Sequence, residues 1–353
     1  MKKILIAGAG GAPTEGVIFS LLKNPDNFIV GMGSEPTDLI LSKSHKKYYV
    51  PYANAPEYKE SLLRLLNKEK PDLVHFQNDL EIYHASLLRE DIEATGVKLF
   101  MPEHSVIDTC VHKNKSYQSF KSAGVIVPVN ITINTEDDLK KAFKELGDSQ
   151  GRIWLRNSGI GGGGKGALPT GDYSLAKAWI DHYKGWGDFS AAEMLTPRTV
   201  TWLSIWYQGE LVVAQTRVRD GWTHGNRAIS GVTGVTKVGV TGSDEQVTQV
   251  ATNTVKAVSD KPHGIFGVDM AYDKNGIPNP TEINISRFFT TVRFFTEAGV
   301  NFPEIFKNLA LGEDAGIDFG TVNPLQDGLM WLRGMDTEPK LIVKESIEHG
   351  IIF

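Results

Sequence analysis

The side chains best suited to chemistry lie in residues 264–287, where two short apolar runs flank the polar turn at 273–276. This pattern predicts a β-hairpin whose first strand carries Asp269 and whose second strand carries Glu282 and Asn284. Because side chains alternate faces along a strand, Glu282 and Asn284 are expected on the same face. Carboxylate and amide oxygens are the hard ligands that Mg²⁺ or Mn²⁺ prefers. The hairpin therefore predicts a metal site that also holds nucleotide phosphates.

The remaining side chains of the second strand follow the same alternation. Ile283 and Ile285 are expected to point into the core. Arg287 comes at the strand end, where a guanidinium can meet a phosphate or a carboxylate. The alternative is an ordinary hairpin with a solvated acidic face.

A glycine-rich stretch, residues 152–166, is the second candidate for phosphate binding. A predicted strand carrying Arg156 enters a loop that also contains Lys165. Glycines let backbone N–H groups close over phosphates, and the lysine adds positive charge. The loop lacks the Gly-Lys-Ser/Thr ending of a Walker P-loop. We expect a phosphate-binding lid, with a flexible linker as the alternative. The glycines of this predicted lid are Gly161, Gly162, Gly163 and Gly164.

The start of the chain resembles the opening of a Rossmann-type domain. A short strand at 3–7, a glycine turn at 8–11 and a helix at 15–22 follow one another. The glycines do not form a clean G-x-G-x-x-G. Glu35 nevertheless follows the second strand, where a dinucleotide ribose would need an acidic residue. Either an NAD site or a tight turn that binds nothing fits this pattern.

Further along, alternating strands and helices predict one doubly wound α/β domain up to about residue 105. Residues 105–123 are predicted to be helical, and strands of a larger antiparallel sheet are expected at 200–207, 210–219 and 231–240. Several basic side chains cluster between those strands. A small C-terminal extension is expected from residue 313. The clustered basic side chains are Arg217, Arg219, His224 and Arg227.

Length and composition bound the class of protein. A chain of 353 residues favours two or three domains. The net charge of −5 gives no overall basic footprint for nucleic acid or an anionic membrane. No apolar run approaches the length of a membrane helix. A single cysteine, Cys110, cannot form an internal disulfide and fits a reducing, cytoplasmic compartment.

Taken together, residues 1–312 resemble the ATP-grasp superfamily, and within it the carbamoyl-phosphate-synthetase-like members. The resemblance implies a mixed α/β and α+β multidomain fold, with a Rossmann-like pre-ATP-grasp domain followed by an ATP-grasp fold. It implies four parts. These are the pre-ATP-grasp domain (1–108), a small lid subdomain (109–188), a large subdomain (189–312) and the extension (313–353).

The resemblance also implies roles for individual residues. Lys113 and Arg156 would lie near the nucleotide phosphates, and His224 would join them. Arg287 would meet the transferred phosphate, although it stands one residue later than in the family. That spacing moves it to the opposite strand face unless the strand ends first. The implied adenine hinge is Glu193, Met194 and Leu195, and the implied magnesium ligands are Asp269, Glu282 and Asn284.

The predicted function is an ATP-dependent carboxylate–amine ligase that works through an acyl phosphate and releases ADP and phosphate. Arg219, Arg227 and Arg287 are the candidates for holding the carboxylate. The expected partners are small-molecule carboxylates and amines, with a homodimer as the default assembly. Three alternatives are a non-catalytic ATP-binding regulator, carboxyphosphate chemistry as in carbamoyl phosphate synthetase, and an NAD(P)-dependent oxidoreductase.

Overall fold

The computed structural model describes residues 1–158, 166–334 and 340–343. Its first unit is a parallel five-stranded sheet in the order β3-β2-β1-β4-β5, flanked by helices. Parallel strands are covered on both faces, which explains why residues Ile4, Leu5, Ile6 and Ala7 are all buried. The elements are β1 (Lys2–Ala7), α1 (Ala12–Leu21), β2 (Asn27–Gly33), α2 (Pro36–Leu41), β3 (Lys46–Tyr49), α3 (Tyr58–Glu69), β4 (Leu73–His75), α4 (Asp79–Leu87), α5 (Arg89–Glu93) and β5 (Lys98–Leu99).

The helix predicted over 105–123 is in fact two helices, α6 (His104–Val111) and α7 (Lys113–Ser122). His112 separates them because its backbone is extended, with φ −98° and ψ 101°. Lys113 is therefore the first residue of α7 and projects from a helix end. This break was not predicted, since the composition of the segment is helical throughout.

A second, antiparallel sheet of four strands follows, in the order β6-β9-β7-β8 among the described residues. It packs α8 and α9 around its own core, which includes Ile133, Leu139, Leu155 and Phe189. Helix α8 begins with a capping box, in which Thr135 and Asp138 exchange hydrogen bonds. The elements are β6 (Asn130–Ile133), α8 (Glu136–Leu146), β7 (Ile153–Asn157), β8 (Leu168–Thr170), α9 (Tyr173–Tyr183) and β9 (Phe189–Ala192).

The third unit is a mostly antiparallel sheet, which over the described residues has eight strands. Its path is β14-β13-β10-β11-β12-β16-β17, and β15 pairs with β11 in parallel. The elements are β10 (Thr199–Tyr207), β11 (Glu210–Trp222), β12 (Thr236–Gly242), α10 (Glu245–Lys256), β13 (Gly264–Tyr272), β14 (Pro278–Ile285), α11 (Val292–Glu297), α12 (Phe302–Leu311), β15 (Thr321–Val322), β16 (Leu329–Leu332) and β17 (Lys340–Val343).

One sequence prediction for this sheet needs correction. The strand expected at 231–240 begins at Thr236, since the preceding residues form a loop with a short 3₁₀ turn. The stretch after residue 313, expected as a C-terminal extension, adds strands to the sheet, because β16 pairs with β12 and β15 with β11. The apolar residues of β16 were too few to predict this pairing.

The first and third units share a hydrophobic core. Helix α1 packs against α11 and α12, and Ile18, Val292 and Phe295 belong to one buried cluster. Gly16 lies at this contact, where an added Cβ would come within 3.4 Å of the Val292 side chain. The two units are thus held together beside the end of the β13–β14 hairpin. Within the part of the chain that the structure describes, no helix has both the length and the apolar character needed to cross a bilayer.

Candidate functional site

A row of polar side chains crosses four adjacent strands of the large sheet. Glu282 on β14 pairs with Asp269 on β13, which pairs with Thr201 on β10, which pairs with Arg217 on β11. Residues directly opposite each other on neighbouring strands share a face of the sheet. Ile283 is 4% exposed, on the other face of the same hairpin. The alternation predicted for the hairpin is therefore what the structure has.

Asp269 is the most heavily hydrogen-bonded carboxylate of this row. Its Oδ1 accepts from the Thr201 hydroxyl and from Arg219 Nη2 at 3.4 Å, and its Oδ2 accepts from Asn284 Nδ2 at 3.0 Å. Burial alone would raise the pKa of Asp269. The charge of Arg219, the Thr201 hydrogen bond and the charge of Arg217 outweigh burial and hold that pKa below its ordinary value. Asp269 is therefore ionised at neutral pH.

Arg287 reaches this face because β14 ends at Ile285. Ser286 has a left-handed backbone with φ +55°, which turns the chain and returns Arg287 to the side of Asn284. Arg287 Nη2 donates to Asn284 Oδ1. Its Nε donates to Asp79 Oδ1 at 2.6 Å and its Nη2 to Asp79 Oδ2 at 3.2 Å. The displacement expected for a continuing strand thus does not occur.

The carboxyl end of β4 holds the segment that follows the hairpin. Gln77 binds both backbone groups of Phe288, donating to its carbonyl at 2.8 Å and accepting from its N–H at 3.1 Å. Asn78 caps α4 by accepting from Glu81 N at 2.9 Å, which places Asp79 at the first position of that helix. The parallel unit therefore fixes Arg287 from outside the large sheet.

Two predicted phosphate-binding cations lie beside Glu282. Lys113 Nζ is 3.7 Å from Glu282 Oε2. Arg156, on β7, donates from Nη1 to the carbonyl of Thr281 at 3.3 Å. Burial lowers the pKa of Arg156, and the neighbouring Glu282 carboxylate partly offsets that effect. Residues from α7, β7 and β14, far apart in sequence, therefore meet at one place.

Glu193 lies in the connection from β9 to β10, where the adenine hinge was expected. Its backbone N–H donates to the Val129 carbonyl at 3.1 Å, and its Oε1 accepts from Val129 N at 2.9 Å. The side chain thus fastens the segment before β6. Met194 and Leu195 follow it, half-buried. Their role at adenine stays a prediction.

Two other predicted residues lie on a loop of the large sheet. His224 and Arg227 are exposed on the loop between β11 and β12, and His224 has a left-handed φ of +55°. In the described part of the chain, no hydrogen bond or ion pair links Arg227 to Asp269 or Glu282. The predicted lid residues Gly161, Gly162, Gly163, Gly164 and Lys165 lie outside the described residues.

Sequence reasoning assigned no role to three residues of the face: Asp79, Thr201 and Arg217. Arg217 is 1% exposed and donates to the hydroxyls of Thr201, Thr236 and Thr291. Burial lowers its pKa to about 9, and the neighbouring charge of Arg219 acts in the same direction. The available signal was the period of two in Thr199-Val-Thr201 and Arg217-Val-Arg219, which places like residues on one strand face.

The oxygen donors of the hairpin suit a hard cation such as Mg²⁺. Among the described residues, no group of three His, Cys, Asp or Glu side chains is placed to hold a metal ion. Asp269 and Glu282 supply two carboxylates, and the third oxygen donor of the set is the side-chain amide of Asn284. Amide oxygens are ordinary ligands of Mg²⁺ and Ca²⁺, so the residues present fit such an ion.

A cavity of about 220 Å³ lies at the carboxyl ends of β1, β2 and β4, lined in part by Glu35, Asp38 and Glu81. Burial raises the pKa of Glu81 to about 7, although hydrogen bonds from Asn78 and Tyr58 oppose the shift. Nearby, Gly10 N donates to Glu15 Oε1 at 2.9 Å. The chain's own carboxylate therefore occupies the glycine turn, where a dinucleotide phosphate would have to bind.

No known protein family matches the sequence, and no curated protein matches it. Solved structures do share its fold. An L-amino acid ligase from Bacillus licheniformis is 14% identical, with a TM-score of 0.68 over 94% of this chain and 79% of that chain. An N5-carboxyaminoimidazole synthetase from Staphylococcus aureus, complexed with ADP, is 16% identical, with a TM-score of 0.71 over 94% and 82%. A biotin carboxylase from Campylobacter jejuni, in a β,γ-ATP complex, is 16% identical, with a TM-score of 0.69 over 94% and 75%.

These structures show that the chain shares their fold over nearly its whole length. The mixed α/β fold with several sheets that was predicted from the sequence is confirmed, while its division into four parts stays a prediction. Identities of 14–16% establish the fold and leave the reaction to the site itself.

Proposed function

We propose that this protein is an ATP-dependent carboxylate–amine ligase that works through an acyl phosphate. The proposal rests on one observation: Asp269, Glu282 and Asn284 lie together on one sheet face. Cationic side chains lie beside them, Lys113 at Glu282 and Arg219 at Asp269. Such a face balances the charge of a metal–nucleotide complex and a carboxylate. The enzymes that share the fold support the same class of reaction, since one is an L-amino acid ligase, one is a synthetase complexed with ADP and one is a biotin carboxylase in a β,γ-ATP complex.

The metal would be held by Asp269, Glu282 and Asn284. Oδ1 of Asp269 is already saturated by Thr201 and Arg219, whereas Oδ2 receives only Asn284. Mg²⁺ or Mn²⁺ bound there would supply charge compensation for the β- and γ-phosphates.

Lys113 and Arg156, which lie beside the Glu282 segment of β14, would bind the phosphates. Fixed positive charges around the transferred group act without reorganisation at the moment of reaction. The lid residues Gly161–Gly164 and Lys165, the hinge Glu193–Leu195 and His224 remain proposed contacts of the same nucleotide.

In the first step, a carboxylate oxygen of the substrate would attack the γ-phosphorus, and the bond to the β–γ bridging oxygen would break to release ADP. In the second step, an uncharged amine would attack the acyl carbon, phosphate would leave with the former carboxylate oxygen, and the nitrogen would lose one proton to the departing phosphate. Arg287 and Arg219, which lie beside Asn284 and Asp269, would hold the carboxylate, because a guanidinium binds it bidentately. Arg227 would need to approach from its exposed loop.

The cavity beside α4 supports an amine as the nucleophile. Glu35, Asp38 and Glu81 line it, and no lysine or arginine does so among the described residues. An acidic wall attracts an ammonium group and disfavours a phosphorylated ligand. Asp79, which holds Arg287, follows directly after the lining residue Asn78.

The alternatives differ in what they leave unexplained. An NAD(P)-dependent oxidoreductase requires an anion site at the glycine turn, and Glu15 fills that turn. A non-catalytic regulator and carboxyphosphate chemistry both use the same metal face, so only reaction products separate them. A homodimer and a cytoplasmic location stay predictions.

The test is to incubate the protein with Mg-ATP and a panel of amino acids and other carboxylates, singly and in pairs, while measuring ADP, phosphate and product mass. Release that needs two substrates, with a condensed product, supports the ligase. Bicarbonate-dependent release alone indicates carboxyphosphate chemistry. AMP with pyrophosphate contradicts the acyl phosphate, and ATP bound without release under every condition indicates a regulator.

A further inference from the structure

We propose that Arg217 is a positioning residue that acts through the Thr201 hydroxyl to fix the Asp269 carboxylate at the metal site. The inference rests on the proposed function, because it assigns the metal to the Asp269 face. It assigns a role to a residue that was named above only as part of a basic cluster.

Arg217 cannot itself contact a substrate, because its side chain is 1% exposed and lies over the Phe289 ring at 4.8 Å. Its hydrogen-bond partners are three neutral hydroxyls, and no carboxylate of the described residues lies within ion-pair distance of it. A buried cation that no carboxylate contacts directly is costly to desolvate, and the charge of Asp269 offsets only part of that cost. A purely structural role at this position would be served better by an apolar side chain.

The geometry around Thr201 shows what the buried charge does. A threonine hydroxyl has one proton to donate and two lone pairs to accept with. Arg217 Nη2 donates to Oγ1 of Thr201, and Arg219 Nη2 donates to the same oxygen at 3.3 Å. With both lone pairs occupied, the single O–H of Thr201 is directed at Asp269 Oδ1, and that bond is present.

The consequence reaches the metal site. Because Oδ1 of Asp269 is held by Thr201 and Arg219, the carboxylate cannot rotate freely, and Oδ2 stays on the side of Asn284. Partners that orient a metal ligand in this way change metal affinity by about 10- to 100-fold when removed. Arg217 and Thr201 should therefore affect metal binding more than folding.

The backbone of β12 leaves space for the Arg217 side chain. Gly239, opposite Arg219 on β12, leaves room for the Arg217 side chain, since a Cβ there would lie 3.0 Å from Arg217 Cδ. The neighbouring Thr236 and Thr291 hydroxyls then hold Nη1 at 2.9 and 3.1 Å. The guanidinium is fixed before any ligand arrives, so it needs no rearrangement to orient Thr201.

The experiment measures Mn²⁺ binding to the protein with saturating ADP, by titration calorimetry or by the Mn²⁺ electron paramagnetic resonance signal. Thr201→Val and Arg217→Met are each expected to weaken Mn²⁺ binding about 10-fold. Thr201→Ser, which keeps the hydroxyl, and Arg217→Lys, which keeps the charge, are expected to recover most of the affinity.

Thr254→Val is the matched control, because Thr254 is also fully buried but donates to Val250 within α10. It should bind Mn²⁺ as the unmodified protein does. The melting temperature of each variant is measured beside its affinity.

Three results would overturn the inference, and they are distinguishable. If Arg217→Met and Thr201→Val lower the melting temperature while Mn²⁺ affinity is unchanged, the pair is structural. If Thr201→Ser binds Mn²⁺ as weakly as Thr201→Val, the hydroxyl is not what orients Asp269. If the unmodified protein binds no Mn²⁺ with ADP, the proposed metal site itself fails, and this inference fails with it.

Discussion

Two regions of the molecule have glycine or acidic residues that suit a nucleotide, and they differ in what already occupies them. At the first turn of the chain, the Glu15 carboxylate accepts from Gly10 N and from Lys43 N at 3.0 Å. On the β13–β14 face, Asp269 and Glu282 are instead accompanied by cations from three other elements, α7, β7 and β11. The glycines of the first turn serve backbone geometry, since a Cβ on Gly10 would collide with the Asp38 backbone at 1.8 Å.

A glycine motif in the sequence therefore indicates a phosphate site less reliably than a group of charged side chains that the fold brings together. A glycine turn binds phosphate only if its N–H groups are unoccupied and its surroundings are not anionic. The first turn fails both conditions, while the hairpin face satisfies the charge condition through residues that are distant in sequence. The two regions should therefore differ in function as they do in charge.

The largest effect is expected from Glu282→Ala on the hairpin face. Loss of a metal-facing carboxylate beside Lys113 should lower ATP turnover by about 100-fold or more. The fold should persist, because the Glu282 side chain is 34% exposed. Turnover is measured by ADP release and the fold by far-UV circular dichroism. Normal turnover in a folded variant would remove the hairpin from the site.

Asp79→Asn should have the next largest effect, because it breaks the paired hydrogen bonds that hold Arg287. Misplacing a substrate-positioning group can lower turnover by up to about 100-fold, and we expect roughly 10- to 100-fold here. Steady-state kinetics with the carboxylate substrate measure it. Asp72→Asn is the control, because Asp72 precedes β4 at its opposite end and accepts from Lys3 N. Equal kinetics for both variants would contradict a positioning role.

The pH dependence of stability provides a smaller test, confined to the parallel unit. Burial raises the folded-state pKa of Glu81 from 4.5 to about 7. The folded state then binds more protons than the unfolded state between those values, so its contribution to stability is present below about pH 4.5 and is lost as pH rises through about 7. Glu81→Gln should therefore raise the melting temperature at pH 8 and change it little at pH 4.

Glu69 supplies the control of opposite sign. A hydrogen bond from the Tyr48 hydroxyl and others from Lys46 and Lys3 lower its pKa to about 2, although burial opposes the shift. Its contribution is present above about pH 4.5 and is lost as pH falls toward 2. Glu69→Gln should lower the melting temperature at neutral pH, with a difference that shrinks in acid. If both variants show the same pH trend, the environments assigned to these glutamates are wrong.

The smallest effect is expected from Glu15→Ala, which vacates the glycine turn. ATP turnover should stay within about 2-fold of the unmodified protein, because the turn lies outside the metal face. Fluorescence titration with NADH should show no binding before or after the change. A large loss of ATP turnover would show that the first turn belongs to the nucleotide site, and the contrast between the two regions would disappear.

Much of this molecule follows from local patterns. Alternating apolar strands and helices predicted the parallel unit, and the polar turn with flanking apolar runs predicted the β13–β14 hairpin. The face shared by Glu282 and Asn284 followed from the period of two. Helix α12, Phe302–Leu311, also has local boundary signals, a proline in its first turn and the left-handed Gly312 directly after its end.

Other features could not be predicted because they depend on contacts between distant residues. The break at His112 has no proline or glycine to mark it. The C-terminal strands join the large sheet through pairing with β12 and β11, which a short apolar run does not reveal. The position of Arg287 depended on the single left-handed residue Ser286, a conformation that serine seldom adopts.

The sequence by itself determined the elements, the side chains that share each strand face and the type of ligand those side chains suit, because these depend on period and residue chemistry. Only the tertiary structure decided which charges meet. It placed Glu15 in the glycine turn, Asp79 on Arg287 and the buried Arg217 behind Thr201. Such pairings depend on strand order and packing, and they set the electrostatics that separate a binding face from an ordinary turn.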